Sequence, residues 1–122
     1  LTSIISKKIK DRKIINLISL ILNNHNSNLG MPLGNLTSQF FANVYLNELD
    51  YHVKHNLKIK YYIRYVDDFV ILHKNKNALE SCKKEIDNFL KNNLKIELHK
   101  DKSKIYAINR GINFLGYRNF YY

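Results

Sequence analysis

The stretch YIRYVDDFVIL, residues 62–72, constrains the fold of this chain more than any other part of its 122 residues. Its β-branched and aromatic side chains are typical of strands, and residues of this kind extend over Lys58–Lys74. Two adjacent acids, Asp67 and Asp68, interrupt the run. The pattern therefore predicts an antiparallel hairpin with both carboxylates at its tip.

Two neighbouring carboxylates repel each other and are costly to desolvate. One interpretation is an ordinary solvated turn, because aspartate is a common turn residue. The other is a site for divalent cations, which bind carboxylate oxygens and offset their charge. Strong strand formers flank Asp67 and Asp68 on both sides and no glycine accompanies them, which favours the cation site.

Apolar residues at helical spacing predict helices in three other parts of the chain. The first covers residues 4–22, with a break near Asp11, and the second runs from about Leu36 to Val53. The third begins with Asn77 and Glu80, which resemble a capping box. Its apolar stripe consists of Leu79, Cys82, Ile86, Phe89 and Leu90.

The remaining segments predict a loop and further strands. Residues 23–35 are rich in Asn and Gly and contain the one proline of the chain, which is typical of a loop. Short strands are predicted at residues 96–99, 104–108 and 113–117. The fold class is therefore mixed α/β of the α+β type, a small antiparallel sheet with helices packed on one face.

The charge of the chain indicates a polyanionic partner. The formal net charge is +10 and the pI is about 9.7, so nucleic acid is the first candidate. A general compositional drift toward lysine is the alternative. The lysines and arginines are segregated, however, since no Lys or Arg lies between Ile14 and Val53 while they cluster at Lys7–Lys13, Lys54–Arg64 and Lys100–Lys104. That distribution favours a basic face.

The single cysteine, Cys82, has no disulfide partner within the chain and no zinc-ligand companions, which suits a reducing compartment. No apolar run approaches the roughly 18 residues of a membrane span, so no membrane partner is expected. The histidines show no ligand spacing beyond His52 and His55, and we expect them to be surface residues.

Four motifs, in order, resemble those of reverse transcriptases. They are GMPLGNLTSQFFANVYLNELD at residues 30–50, YVDD followed by FVIL at 65–72, LHKDKSKI at 98–105 and FLGY at 114–117. The match is similar to bacterial-type enzymes of diversity-generating retroelements, group II introns and retrons. It implies the ferredoxin-like or RRM-like palm of a right-hand polymerase, an RNA-directed DNA polymerase in the cytoplasm of a bacterium.

The resemblance also implies roles for individual residues. Asp67 would be a direct metal ligand and Asp68 a second carboxylate in a site for two Mg²⁺ or Mn²⁺ ions. Lys102 would be the general acid on the leaving pyrophosphate, although a solvated surface lysine is the alternative. One group of residues would contact the template base and the incoming nucleotide: Gly34, Asn35, Ser38 and Gln39. Another group would position the end of the primer: Phe114, Leu115, Gly116 and Tyr117.

One metal-binding aspartate of the family has no counterpart in this chain. Neither Asp11, in a basic helix, nor Asp50, in the helix after the glycine loop, fits its pattern. Residues 1–122 are therefore expected to be a partial palm domain, without the fingers, the first acidic motif and most of the thumb. Such a piece would be inactive alone. The implied partners are an RNA template, a DNA primer, deoxynucleoside triphosphates, and an accessory protein or structured RNA.

A different class of function is compatible with the same residues. A non-catalytic RNA- or DNA-binding domain would use a small sheet and a basic face, with Tyr61, Tyr62 and Tyr65 stacking on bases. Such a domain would bind with a steep salt dependence and without Mg²⁺. A defence enzyme that requires a partner, built on the same palm, is a third possibility. Arg64 is expected to pair with either a carboxylate or a phosphate.

Overall fold

The computed structural model describes residues 1–23 and 36–120, and the chain divides into two compact units, Leu1–Asn47 and Glu48–Tyr122. The loop predicted at residues 23–35 lies, apart from Asn23, outside the described residues. Helix α3 (Leu36–Tyr51) begins in the first unit, and its last residues belong to the second.

The first unit contains two further helices, α1 (Thr2–Lys8) and α2 (Arg12–Asn23). The break predicted near Asp11 is confirmed. Ile9 is extended, with φ −105° and ψ 123°. The Asp11 carboxylate then accepts a hydrogen bond from the Lys13 amide at 2.8 Å, which satisfies one of the free N–H groups at the start of α2. The apolar residues Ile5 and Phe41 are buried in this unit.

The second unit contains the predicted hairpin, formed by β1 (Tyr61–Tyr65) and β2 (Asp68–Leu72). The strands are antiparallel, and the register pairs Tyr65 with Asp68 and Arg64 with Phe69. Because side chains alternate between the faces of a strand, Tyr62 and Arg64 share one face while Tyr61, Ile63 and Tyr65 share the other. The first face is half-buried and the second is exposed.

Helical residues form the apolar core of this unit. α3 continues into a π-helical turn at His52–Asn56, and α4 (Lys76–Phe89) continues into another at Leu90–Leu94. The buried side chains on these segments are Leu49, Val53, Cys82, Ile86, Leu90 and Leu94. The apolar stripe predicted for the third helix is thus confirmed at Cys82, Ile86 and Leu90.

The N-cap of α4 lies two residues earlier than predicted. The Asn75 side-chain oxygen accepts hydrogen bonds from the amides of Asn77 and Ala78, at 2.8 and 3.3 Å. Asn77 is therefore inside the helix, where it supplies a donor and not the cap. The sequence offers asparagine at both positions, and the extended backbone of Asn75 makes it the cap.

A second hairpin follows near the end of the chain, with strands β3 (Ile112–Phe114) and β4 (Tyr117–Asn119). The strands predicted at residues 96–99 and 104–108 are not formed. An extended segment becomes a strand only when a partner lies within hydrogen-bonding distance, and no partner pairs with these segments in the described chain. The α+β class is confirmed, with the strands arranged as two antiparallel pairs.

Candidate metal and nucleic-acid site

The two aspartates lie at the tip of the first hairpin, as predicted. Val66 and Asp67 connect the strands, and Asp68 is the first residue of β2. Both acids are exposed, and neither carboxylate accepts a hydrogen bond or forms an ion pair with any of the residues described. Water screens their repulsion, and their oxygens are open to a ligand from outside the chain.

The backbone at this tip is strained. Val66 has φ +53°, in the left-handed region that L-residues avoid, and the side chain is β-branched. Most tight hairpins place glycine or asparagine at such a position. Strain of this kind persists only where surrounding contacts maintain it.

Those contacts come from Arg64, whose side chain is 9% exposed. Its Nη1 donates a hydrogen bond to the Val66 carbonyl oxygen at 2.6 Å. Its Nε and Nη2 donate to the two carboxylate oxygens of Asp50, at 2.7 and 2.5 Å. The Tyr62 hydroxyl donates to Asp50 Oδ1 at 2.6 Å. The choice left open for Arg64 is resolved by this geometry, since its partner is a carboxylate.

The ionisation of the three side chains reflects this arrangement. Burial alone would raise the pKa of Asp50, but the hydrogen bonds from Arg64 and Tyr62 and the charge of Arg64 hold it below its ordinary value. The hydrogen bond to Asp50 raises the pKa of Arg64. Burial, and then the hydrogen bond to Asp50, raise the pKa of Tyr62 well above its ordinary value. Near neutral pH the cluster is therefore a carboxylate, a guanidinium and a neutral phenol.

Sequence reasoning assigned no role to Asp50. The available signal was the alternation of Tyr62 and Arg64, two hydrogen-bond donors on one face of a strand that otherwise reads as apolar. Two donors on the face turned toward a core require an acceptor there.

The prediction that His52 is a surface residue was wrong, because His52 is half-buried and its ring stacks on that of Phe89, with the ring centroids 4.1 Å apart. Burial lowers the pKa of His52.

The residues predicted to contact nucleotide are only partly described. Gly34 and Asn35 lie outside the described residues. Ser38 is half-buried and Gln39 is exposed, and both lie in the first turn of α3. The start of a helix leaves backbone N–H groups without intrahelical partners, which suits binding to anionic groups.

Lys102 is exposed in a turn closed by the hydrogen bond from the Ser103 amide to the His99 carbonyl, at 3.0 Å. No hydrogen bond or ion pair joins it to Asp67 or Asp68 in the part of the chain that is described. The Lys83 ammonium donates to the Ser103 carbonyl, which attaches this turn to α4.

The predicted primer-positioning residues form the tip of the second hairpin, whose strand β3 lies beside β2. Leu115 and Gly116 connect the strands with φ of +54° and +81°, the positive values that a type I′ turn requires. Phe114 is half-buried and pairs with Tyr117, whose side chain is exposed. The two hairpins are thus neighbours. The sequence predicted the first, whereas residues 113–117, predicted as one strand, form the end of β3, the turn and the start of β4.

The donor set at the first tip fits a hard divalent cation in part. Asp67 and Asp68 supply exposed carboxylate oxygens, the ligands that Mg²⁺ and Mn²⁺ prefer. Residues 1–23 and 36–120 contain no group of three or more His, Cys, Asp or Glu side chains that could hold a metal ion. None of the helices in those ranges has the length and apolar character needed to cross a bilayer.

Comparisons with known proteins identify the family of this chain. A family model for reverse transcriptases (RNA-dependent DNA polymerases) matches residues 4–119. The chain is 23% identical to the COX1/OXI3 intron 2 protein of Saccharomyces cerevisiae, in an alignment that covers 96% of the chain and 21% of the yeast protein. It is 43% identical to Protein YkfC of Escherichia coli in an alignment of 58 residues. That alignment covers 47% of the chain and 15% of the E. coli protein. The chain spans about a fifth of the length of the first relative and less of the second. With nearly all of its residues matched by the family model, the chain belongs to the reverse transcriptase family.

Proposed function

We propose that this chain is the partial palm, residues 1–122, of a longer RNA-directed DNA polymerase, which we call the parent protein. The fingers, the first acidic motif and most of the thumb would be supplied by the rest of the parent protein. One observation carries the proposal. In a chain of the reverse transcriptase family, two adjacent exposed carboxylates lie at the tip of a two-stranded hairpin, and neither is paired with any residue in the described ranges 1–23 and 36–120.

In this proposal Asp67 and Asp68 hold two Mg²⁺ or Mn²⁺ ions together with a third carboxylate from the parent protein. Bound there, the ions would supply the charge stabilisation that phosphoryl transfer requires at the attacking and leaving oxygens. The contribution of the chain would be to hold Asp67 in the turn and Asp68 at the start of β2, so that little reorganisation is needed. The register that places Asp68 opposite Tyr65 achieves this.

The other residues would act on the nucleic acid and the nucleotide. Gly34, Asn35, Ser38 and Gln39 would contact the template base and the incoming deoxynucleoside triphosphate. Lys102 would donate a proton to the leaving pyrophosphate. Residues 114–117 would position the end of the DNA primer on the RNA template, which is consistent with β3 lying beside β2.

The parent protein would therefore require a template, a primer and nucleotides, and an accessory protein or structured RNA would complete the assembly. We further propose a cytoplasmic location in a bacterium, supported by the resemblance of the motifs to bacterial enzymes. Residues 1–122 alone would not extend a primer with Mg²⁺, because the site would be short of one carboxylate. DNA synthesis by the isolated chain would contradict this.

The test is the substitution Asp67→Asn in the parent protein, assayed by primer extension on an RNA template. We expect synthesis to fall by at least about a hundredfold, since even residues that only support metal ligands commonly contribute 10- to 100-fold. The thermal midpoint should be unchanged or slightly higher, because the variant removes charge repulsion at an exposed tip. Glu80→Gln is the matched control, an exposed acid on α4 that should have no effect on synthesis. Retained synthesis in Asp67→Asn would refute the metal assignment.

A non-catalytic nucleic-acid-binding domain is the second candidate, favoured by the exposed face of the first hairpin. Tyr61 and Tyr65 are 56% and 60% exposed there and are available to stack on bases. Tyr62 is not available, because it lies on the opposite face and donates to Asp50. Binding of RNA that depends steeply on salt, is independent of Mg²⁺, and is unaffected by Asp67→Asn would support this candidate over the polymerase.

A further inference from the structure

Arg64 connects three parts of the second unit: its own strand, a distant helix and a turn with a strained backbone. It lies on β1, its carboxylate partner Asp50 lies 14 residues earlier on α3, and its third hydrogen bond reaches the strained Val66. The side chain has nearly no solvent contact, at 9% exposure. The hydrogen bonds from Nε, Nη1 and Nη2 of Arg64 to the oxygens of Asp50 and Val66 are 2.5–2.7 Å long.

The Val66 carbonyl is the point at which this contact reaches the aspartates. Val66 precedes Asp67 directly, so the orientation of the peptide unit between them sets the direction in which the Asp67 side chain leaves the backbone. A valine released from the left-handed region would return to negative φ, which its β-branched side chain prefers. That rotation would redirect Asp67 and alter the register of Asp68 against Tyr65.

We propose that Arg64, held by Asp50, is a positioning residue that keeps Val66 in its left-handed conformation and so orients the carboxylates of Asp67 and Asp68 for divalent cations. The inference rests on the proposed metal-binding function of those two aspartates. It adds a role for Arg64 and Asp50, which are not among the residues proposed above to hold metal, nucleotide or primer. Asp50 fixes the guanidinium, Arg64 fixes the Val66 carbonyl, and that carbonyl fixes the turn.

Lysine cannot replace arginine in this arrangement. The planar guanidinium binds both carboxylate oxygens of Asp50 and still directs a third donor at the Val66 carbonyl. An ammonium is a compact point charge on a flexible stem, and it would retain the attraction to Asp50 while losing the fixed fork. Arg64→Lys therefore separates the positioning role from the mere presence of a positive charge.

Glycine at position 66 provides a rescue that depends on this mechanism. Glycine adopts positive φ about as readily as negative φ, so it needs no external contact to occupy the conformation seen here. Val66→Gly should therefore compensate in part for the loss of Arg64. A purely structural role of Arg64 in the core would not be restored by giving the half-buried position 66 a freer backbone.

The experiment compares the parent protein with Arg64→Lys, Arg64→Lys/Val66→Gly, Asp50→Asn and Ile86→Val. Ile86 is 1% exposed on α4, outside the hairpin segment, so Ile86→Val is a control for loss of stability by a core change elsewhere in the unit. Mn²⁺ affinity is measured by electron paramagnetic resonance titration of free Mn²⁺, and primer extension is measured as a function of Mg²⁺ concentration. The first measurement does not depend on activity.

We expect Arg64→Lys to weaken Mn²⁺ binding and to raise the half-saturating Mg²⁺ concentration by about 10- to 100-fold, the usual effect of a residue that orients metal ligands. Val66→Gly in that background should recover a large part of the change. Asp50→Asn should act in the same direction as Arg64→Lys, which tests the proposal even if one of the two variants folds poorly. Ile86→Val should leave both metal measurements within about twofold of the parent protein, because Arg64, Asp50 and Val66 are unchanged.

The positioning role would be overturned if Arg64→Lys and Asp50→Asn changed the metal affinity of the parent protein by no more than Ile86→Val does. A failure of Val66→Gly to recover any of the change would overturn it as well. Either result, with synthesis in Asp67→Asn still reduced by at least about a hundredfold, would leave the polymerase proposal intact. Synthesis retained in Asp67→Asn would instead refute the proposed function and this inference with it.

Discussion

Replacing Asp50 by asparagine should loosen the first hairpin far more than its single-atom change in shape suggests. The carboxylate accepts three short hydrogen bonds, from the Tyr62 hydroxyl and from Nε and Nη2 of Arg64. Asparagine retains one oxygen for Tyr62 and Nε, but its amide nitrogen would face Nη2, donor against donor. Arg64 would then be a charge at 9% exposure without its carboxylate partner.

The magnitude follows from burial. Removing one partner of a buried ion pair costs about 3–5 kcal/mol. The Asp50 side chain is 28% exposed, so solvent screens part of the interaction. We therefore expect Asp50→Asn to lower the free energy of unfolding by about 2–4 kcal/mol. Since about 1.4 kcal/mol corresponds to a factor of ten, amide protection in β1 and β2 should fall roughly 30- to 900-fold.

Hydrogen–deuterium exchange of the parent protein, followed by mass spectrometry on peptides that cover residues 61–72, measures this change directly. Glu80→Gln is the matched control, because it makes the same carboxylate-to-amide change in an exposed ion pair with Lys76 at 3.6 Å. Its effect should remain below about fivefold. Exchange in Asp50→Asn that matched the Glu80→Gln control would show that the three hydrogen bonds contribute no net stability.

Further substitutions and pH test other parts of the second unit. Because the folded pKa of Asp50 lies below its ordinary value of 3.8, its contribution is complete above that value and is lost as the pH falls through the folded pKa. The thermal midpoint of the parent protein should therefore fall in acid by more than that of Asp50→Asn. Ile86→Ala should cost about 2–5 kcal/mol through cavity formation, measured as a lower thermal midpoint. Asn75→Ala should cost about 0.5–2 kcal/mol, seen as faster amide exchange in the first turn of α4, because two capping hydrogen bonds are lost. Gly111→Ala should destabilise the second hairpin more than Gly116→Ala in the same exchange assay, because both have positive φ but only at Gly111 would the new Cβ lie 2.9 Å from the Phe120 ring.

Local patterns were sufficient where a residue and its immediate neighbours decide the structure. The strand formers around Asp67 and Asp68 specified a hairpin and placed both acids at its tip. The stripe of Cys82, Ile86 and Leu90 identified the buried face of α4. In each case the period of the element is set by the backbone, so the spacing of apolar residues carries the information.

The segments at residues 96–99 and 104–108 show where this reasoning ends. Their composition is suited to strands, yet no partner strand pairs with either of them in the described chain. Composition specifies whether a segment tolerates an extended backbone, whereas a ladder requires a second segment at hydrogen-bonding distance. The same limit applies to the N-cap of α4, where two asparagines competed and the backbone of Asn75 decided.

The sequence by itself therefore determined the α+β class, the hairpin, its exposed acids and the family to which the chain belongs. The tertiary structure alone showed that Asp50 meets Arg64, and that Arg64 holds the carbonyl of a valine with positive φ. The physical reason is range. Periodicity and turn chemistry act between residues a few positions apart, but the partner of a buried guanidinium is chosen by how α3 packs against β1, across 14 residues of chain.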